Sequence, residues 1–202
     1  MTSINDKLVR AALIARLRHR YARDGRPVRI VEELGLEQGT VRIDIAVING
    51  AMQGYEIKSD RDTLRRLPEQ MKVYNSVFSQ VTVVVGKSHL YDVIHIVPEW
   101  WGIVIAKLNS DGTVCLGHIR NPGHNPGQSK VSIAGLLWRE EALGILEEEN
   151  EARGFRSKPR SEICEKLASV LDKKTLQEKV RQILLFSRQD WRSGSLLPSD
   201  GD

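Results

Sequence analysis

The sequence predicts an α/β fold, in which a mixed central sheet is flanked by helices and is followed by a helical C-terminal extension. Short apolar runs between residues 28 and 106 have the length and the valine and isoleucine content of strands. A helical period separates some of these runs and dominates the chain after residue 128. A hydrophobic fraction of 41% in 202 residues is sufficient for one packed core.

The first predicted element is a helix over residues 6–23, which Asp24-Gly25-Arg26-Pro27 ends. Its apolar face is assigned to Ile4, Leu8, Ala12 and Ala15, with arginines on the other faces. The cations of this region are Lys7, Arg10, Arg16, Arg18, Arg20, Arg23 and Arg26. On charge alone we interpret them as a solvated helix face. The formal net charge of +4 permits a polyanionic partner without requiring one.

Three strands follow in the predicted order. The first covers residues 28–34 and the second Val41–Ile48, with turn-like residues 35–39 between them. Asn49-Gly50 is a strong hairpin signal, and it leads into a third strand, Met52–Lys58. Alternation along the second strand places its odd-numbered apolar residues on one face and Asp44 on the other.

A helix over residues 64–78 comes next, because apolar side chains recur there at helical spacing. Pro68 either kinks this helix or begins its main part. Residues 81–85 are dense in valine, which is typical of a strand buried on both faces, and residues 101–106 predict a further strand. Two helical stretches, 133–150 and 161–188, complete the pattern. We therefore expect a core over residues 1–120, a helical extension over 128–192 and a disordered tail over 193–202.

Composition and termini limit the class of protein. No apolar run approaches the ~20 residues that cross a bilayer, and the N-terminus lacks the apolar core of a signal peptide. Cys115 and Cys164 lie far apart, and no Cys/His cluster has the spacing of zinc ligands. These features predict a cytoplasmic protein without a structural zinc site.

The register between the second and third strands decides which side chains share a face. A strict two-residue turn would place Glu56 opposite Ile43, among apolar side chains. The register slipped by one pairs Ile43 with Ile57, Asp44 with Glu56 and Ile45 with Tyr55. Burying an unpaired carboxylate costs several kcal/mol, against a few tenths for a less common turn. We therefore predict the slipped register.

The slipped register brings two carboxylates together beside a lysine. Asp44 and Glu56 lie directly opposite, with Cβ atoms about 4.5–5.5 Å apart. Both can then reach one divalent cation, and Lys58 stands beside it on the same face. Lys58 could orient a water, stabilise developing charge or act as a base, and the sequence leaves these roles open. The alternative is a surface ion pair of Glu56 with Lys58 or Arg42.

The residues Ile43-Asp44 and Glu56-Ile57-Lys58 resemble the two motifs of the PD-(D/E)XK nuclease superfamily. The order helix, three strands, helix, strand over residues 6–85 resembles its restriction-endonuclease-like core, and the closest likeness is to a poorly characterised group of small bacterial and phage-type members. Gln70 and Tyr74, one helical turn apart, resemble the additional motif of RecB-like members. One departure is that Ile43 stands where many members have proline.

The resemblance implies a Mg²⁺ or Mn²⁺ site ligated by Asp44, Glu56 and the Ile57 carbonyl, with Lys58 and Gln70 as catalytic residues. Such families often add an upstream acidic ligand. Glu33 and Glu32 point to opposite faces, so at most one can join the site, and Glu33 is preferred. The predicted nucleic-acid contacts are Tyr74, Arg42 and Arg61, although Tyr74 also fits a purely packing role.

The resulting functional prediction is a metal-dependent nuclease that hydrolyses phosphodiester bonds, in DNA rather than RNA, in repair or in phage or mobile-element defence. Two rivals remain at this stage. One is a nucleic-acid-binding scaffold that does not cleave, and the other is a partner-dependent subunit of a larger assembly. A homodimer or protein contact is expected through the C-terminal helices, which we interpret as a helical cap or a dimerisation surface rather than a helix-turn-helix.

Overall fold

A computed structural model describes residues 4–22 and 25–188 as a mixed α/β structure around one six-stranded sheet. The strands follow chain order across the sheet, β1-β2-β3-β4-β5-β6. They are β1 Arg29–Leu36, β2 Val41–Ile48, β3 Met52–Lys58, β4 Gln80–Val85, β5 Gly102–Leu108 and β6 Val114–Arg120. The first three strands form an antiparallel meander, β3, β4 and β5 run parallel, and β6 returns antiparallel.

Seven α-helices flank the sheet within the described residues. They are α1 Asp6–Ala22, α2 Leu67–Val77, α3 Leu90–Ile96, α4 Lys130–Ala134, α5 Arg139–Glu148, α6 Arg160–Val170 and α7 Lys173–Gln182. Pro68 lies in the first turn of α2, so it begins the helix rather than kinking it, because the first turn requires no N–H from it. No described helix is long and apolar enough to cross a membrane.

Several elements differ from the sequence prediction. Helix α3 and the edge strand β6 were not predicted; β6 is short of fully buried side chains and carries Gly117. The two long C-terminal helices that were predicted are four shorter ones. The predicted tail, residues 193–202, and the predicted helix end at Arg23 and Asp24 lie outside the described residues.

The buried face of α1 also differs from the prediction. Leu8 is 42% exposed and Ala15 is exposed, so the assignment of these residues to the apolar face was wrong. The buried row recurs every four residues and consists of Val9, Leu13, Leu17 and Tyr21. This row removes more apolar area from water than one made largely of alanine, and it therefore determines which face packs. Ile4 is buried, as predicted.

The sheet has two unequal hydrophobic layers. Helix α1 covers one face, together with Ile45, Tyr55, Ile57 and apolar residues of β4 and β5. The other face packs against α2, α3 and all four C-terminal helices in one larger cluster. The C-terminal helices therefore share their core with the sheet, as a helical cap does.

Candidate functional site

The pairing of β2 with β3 positions the site. Ile45 lies opposite Tyr55, which confirms the slipped register. The ladder ends at this pair. Beyond it, the Ile57 amide, two residues after Tyr55, donates to the carboxylate of Asp44, the residue before Ile45, with 2.6 Å between N and Oδ2. The N–H and C=O of a strand residue point to the same neighbouring strand, so the Ile57 carbonyl also faces β2. The next carbonyl, of Lys58, faces β4, where Gly86 N donates to it.

At the level of the site, the regular alternation of side chains between the two faces of the sheet breaks in both β1 and β2. Val31 and Leu34 pack in the same layer although they are three residues apart, and Glu33 between them has φ 54°. In β2, Ile43 packs on the face of the sheet that contacts α2, whereas Ile45, two residues later, packs on the face that contacts α1. The prediction that Ile43 shares a face with Ile45 and opposes Ile57 was therefore wrong, because the alternation breaks in both strands at this level, where Glu33 of β1 has a left-handed conformation.

Glu56 and Lys58 form a buried ion pair on the α2 face of β3. Lys58 Nζ donates to Glu56 Oε1 at 2.5 Å. The exposed fractions of their side chains are 2% for Glu56 and 8% for Lys58. The pair is therefore not the solvated surface ion pair that the sequence left open as an alternative. Charges removed from water in this way are expensive for the fold, and they are frequent at functional sites.

Helix α2 holds this pair through its Gln70 and Tyr74 side chains. Gln70 Oε1 accepts from Lys58 Nζ at 3.1 Å, and Gln70 Nε2 donates to the Tyr74 hydroxyl at 3.1 Å. The Tyr74 hydroxyl lies 2.7 Å from Glu56 Oε2. Tyr74 has an exposed fraction of 0%, so it positions Glu56 and presents no surface to nucleic acid, contrary to its predicted contact role.

The Tyr74 hydroxyl has one hydrogen but two close acceptors, because the Arg42 carbonyl also lies at 2.7 Å. All contacts become hydrogen bonds when Glu56 is protonated on Oε2: the acid then donates to Tyr74, and Tyr74 donates to the Arg42 carbonyl. Burial and the nearby Asp44 charge raise the pKa of Glu56 to about 7, with Lys58 and Tyr74 opposing the shift. Glu56 therefore exchanges between neutral and ionised forms near neutral pH.

Arg10 of α1 holds the other carboxylate and was not predicted as a site residue. Its Nη2 donates to Asp44 Oδ1 at 2.6 Å, and its Nη1 donates to the Asp44 carbonyl at 3.0 Å. Burial raises the pKa of Asp44, while the Ile57 amide and Arg10 partly offset the rise. Arg10 directly follows Val9 of the buried row, but Arg18 follows Leu17 in the same way and is exposed, so the sequence contained no signal for this contact.

The remaining predicted residues lie around this cluster. Glu33 is half exposed and pairs with Arg10 at 2.9 Å, so the Arg10 guanidinium links Glu33 to Asp44. Glu32 is exposed. Arg42 and Arg61 are also exposed, and Arg42 contributes its backbone carbonyl to Tyr74. Exposure leaves both arginines accessible to a ligand.

The donor set matches the chemistry of a hard divalent cation. Asp44, Glu56 and the Ile57 carbonyl offer oxygen atoms only, as Mg²⁺ and Mn²⁺ prefer. Within residues 4–22 and 25–188, no group of three or more His, Cys, Asp or Glu side chains could hold a metal. Mg²⁺ commonly uses one or two carboxylates and completes its shell with water or phosphate, so two carboxylates fit it.

Comparisons with known proteins identify relatives of the chain. The family described as bacteriophage P4 protein cII matches residues 1–195. Protein cII of Enterobacteria phage P4 is 36% identical over 81 residues, or 40% of this chain. The match covers 31% of the phage protein, less than a third of its length. A solved structure of a protein of unknown function from Silicibacter pomeroyi aligns over 75% of this chain and 94% of its own, with 16% identity and a TM-score of 0.41.

Proposed function

The chain belongs to the bacteriophage P4 protein cII family, and we propose that it is a metal-dependent nuclease acting on DNA. The observation that carries the proposal is the buried Glu56–Lys58 pair, which α2 fixes beside Asp44 where the β2–β3 ladder ends. A fold retains such a costly cluster most readily when its chemistry is used. The order helix, three strands, helix, strand is similar to that expected for a restriction-endonuclease-like core and supports the same proposal. The preference for DNA comes from the PD-(D/E)XK resemblance.

Each residue has a defined part in this proposal. Asp44, Glu56 and the Ile57 carbonyl would bind Mg²⁺ or Mn²⁺, which when bound neutralises phosphate charge and acidifies a water molecule. Lys58 stabilises negative charge that develops on the phosphate oxygens. Its ammonium group is already oriented by Glu56 Oε1 and Gln70 Oε1. Tyr74 and Gln70 act as positioning residues, because they set Glu56 and Lys58 without facing the substrate.

A second candidate function is nucleic-acid binding without cleavage. The Arg10–Asp44 contact favours it, because a guanidinium occupies one oxygen of a proposed metal ligand and the Ile57 amide occupies the other. In that case binding would be independent of metal, and Asp44→Ala would leave it unchanged. The two candidates thus differ in their dependence on Asp44.

Cleavage of labelled linear and circular DNA, single- and double-stranded, with Mn²⁺, Mg²⁺ or EDTA, tests the proposal. Asp44→Asn keeps an acceptor for the Ile57 amide but removes the charge, so we expect at least a 100-fold loss of metal-dependent cutting. Asp92→Asn makes the same change at an exposed position on α3 and should cut normally. Equal rates in all three proteins, or no cutting by the wild type beyond the EDTA background, would refute the nuclease. Cutting of circular DNA would identify an endonuclease.

A further inference from the structure

Helix α1 carries a concentration of positive charge that the site does not use. Its 17 residues contain five cations and one carboxylate, a net charge of +4 that equals the formal net charge of the whole chain. Arg10 is directed inward to Asp44. The other four cations are exposed: Lys7, Arg16, Arg18 and Arg20. Helix α1 is therefore a strongly basic element of the chain.

The exposed cations of α1 have no carboxylate partners among the described residues. Among the described residues, Lys7, Arg18 and Arg20 have no Asp or Glu within ion-pair distance, and Arg16 donates to the Leu116 carbonyl. In contrast, several cations in and beside the C-terminal helices are matched with glutamates. Their pairs include Lys158–Glu162, Lys166–Glu151, Lys179–Glu148 and Arg188–Glu141. The charge of α1 thus remains available to an external anion.

The shape of this surface favours a nucleic-acid backbone over a membrane. A membrane-surface helix inserts an apolar face, but the apolar row of α1 is buried against the sheet. From Lys7 to Arg20 the helix extends about 20 Å, at roughly 1.5 Å per residue. That length corresponds to about six phosphates of one DNA strand, spaced roughly 3.4 Å apart. At its far end, Arg20 and Arg26 line an open cavity of about 550 Å³ together with Asn49 and Gln53.

At roughly 100° per residue, Lys7 and Arg18 flank the exposed ridge of α1 on one side, and Arg16 and Arg20 flank it on the other. We infer that this exposed ridge with its four cations, the α1 surface, binds the phosphate backbone of nucleic acid. This α1 surface begins one turn before Arg10, the residue that contacts Asp44, so a strand lying along it approaches the proposed catalytic site. Guanidinium groups bind phosphate through two parallel N–H donors. The inference rests on the proposed function for its choice of nucleic acid as partner.

The test is DNA binding by fluorescence anisotropy in EDTA, across a salt series, with the full chain. The α1 variant is Lys7→Gln/Arg18→Gln/Arg20→Gln, which spares Arg16 because Arg16 joins α1 to β6. The control variant, Arg156→Gln/Lys158→Gln/Lys174→Gln, removes the same charge from exposed positions near the C-terminal helices. Circular dichroism establishes that both variants are folded, which exposed substitutions should not disturb.

We expect the α1 variant to lower the salt slope of binding by about 2.7, since each phosphate contact contributes about 0.9. The ratio of the wild-type affinity to the variant affinity would then fall about 40-fold between about 50 and about 200 mM salt. The control variant should keep the wild-type slope. Equal slopes in the two variants would overturn the inference. So would α1-dependent binding of phosphatidylserine vesicles or polyglutamate in the absence of DNA binding, because that would assign the surface to a membrane or an acidic protein.

Failure of the nuclease proposal and failure of this inference are distinguishable. The binding assay contains no metal and does not change Asp44. Salt-dependent binding through α1 by a protein that cuts no DNA would retain the surface and favour the non-cleaving candidate. Asp44-dependent cutting with unchanged slope in the α1 variant would retain the nuclease and remove the surface.

Discussion

The two halves of the candidate site are held from opposite sides of the sheet, and their surroundings differ. Helix α2 holds Glu56 and Lys58 on the face of the sheet that packs against α2 and the C-terminal helices, where neither side chain is more than 8% exposed. Helix α1 holds Asp44 through Arg10 at the border of the layer that α1 covers, where the two side chains are 17% and 18% exposed. The buried half therefore has the larger energetic consequences, whereas the α1 half is the one that a ligand can reach from solvent.

Breaking the buried half should produce the largest effect on stability. Lys58→Met leaves the Glu56 carboxylate without its cation, which we expect to lower the free energy of unfolding by about 3–5 kcal/mol at pH 8.5. Urea unfolding in EDTA measures this change. The double variant Lys58→Met/Glu56→Gln should recover much of the loss, since no buried charge remains. A loss below about 1 kcal/mol for the single variant would contradict the buried-pair description.

The pH dependence of the buried half gives the next largest effect. The pKa of Glu56 is raised from its ordinary 4.5 to about 7, so its contribution to stability is fully present below pH 4.5 and is lost as pH rises through 7. Relative to Glu56→Gln, the wild type should therefore lose roughly 3 kcal/mol between pH 4.5 and pH 8, at about 1.4 kcal/mol per unit. Urea unfolding of both proteins at several pH values in this interval measures the difference between their free energies of unfolding. A difference that does not change with pH would contradict the raised pKa of Glu56.

The α1 half should respond more weakly. Arg10→Gln removes charge-assisted hydrogen bonds from partly exposed partners, and we expect a loss of about 1.5–3 kcal/mol in the free energy of unfolding. Glu33→Gln changes a half-exposed partner of the same guanidinium and should alter stability by less than about 1 kcal/mol. Thermal and urea unfolding of the two variants rank them. A larger loss for Arg10→Gln than for Lys58→Met would reverse the comparison of the halves.

The register and the helical contacts of the buried half were predictable from sequence, but its burial was not. The predicted register agrees with the observed Ile45–Tyr55 pair. The expectation that selected it, a Glu56 kept away from Ile43 and out of the core, was wrong, because Glu56 is 2% exposed and lies on the α2 face, where Ile43 also packs. The helical spacing of Gln70 and Tyr74 then brings both side chains over the same strand. Local alternation and helical period contain this information.

The α1 half was not predictable, because it depends on long-range contacts and an uncommon backbone conformation. Nothing in the sequence marks Glu33 for a positive φ, which glycine or asparagine adopts more readily. Strict alternation along β2 ignores the break in the pattern at this level, and it therefore assigns Ile43 to the α1 face instead of the α2 face. The contact of Arg10 with Asp44 joins residues 34 positions apart and requires the correct buried row of α1. Strand β6 was missed because its pattern is half exposed.

The hydrogen bond from the Ile57 amide to Asp44 has a consequence for comparing relatives. The Asp44 carboxylate joins two strands where their ladder ends, so it serves the architecture of the sheet as well as any chemistry. A homologue that had lost all enzymatic activity would still be under selection to keep an aspartate there. An aspartate at this position in a related sequence is therefore weak evidence for cleavage, whereas loss of the lysine equivalent to Lys58 together with its glutamate would be a better marker of an inactive descendant.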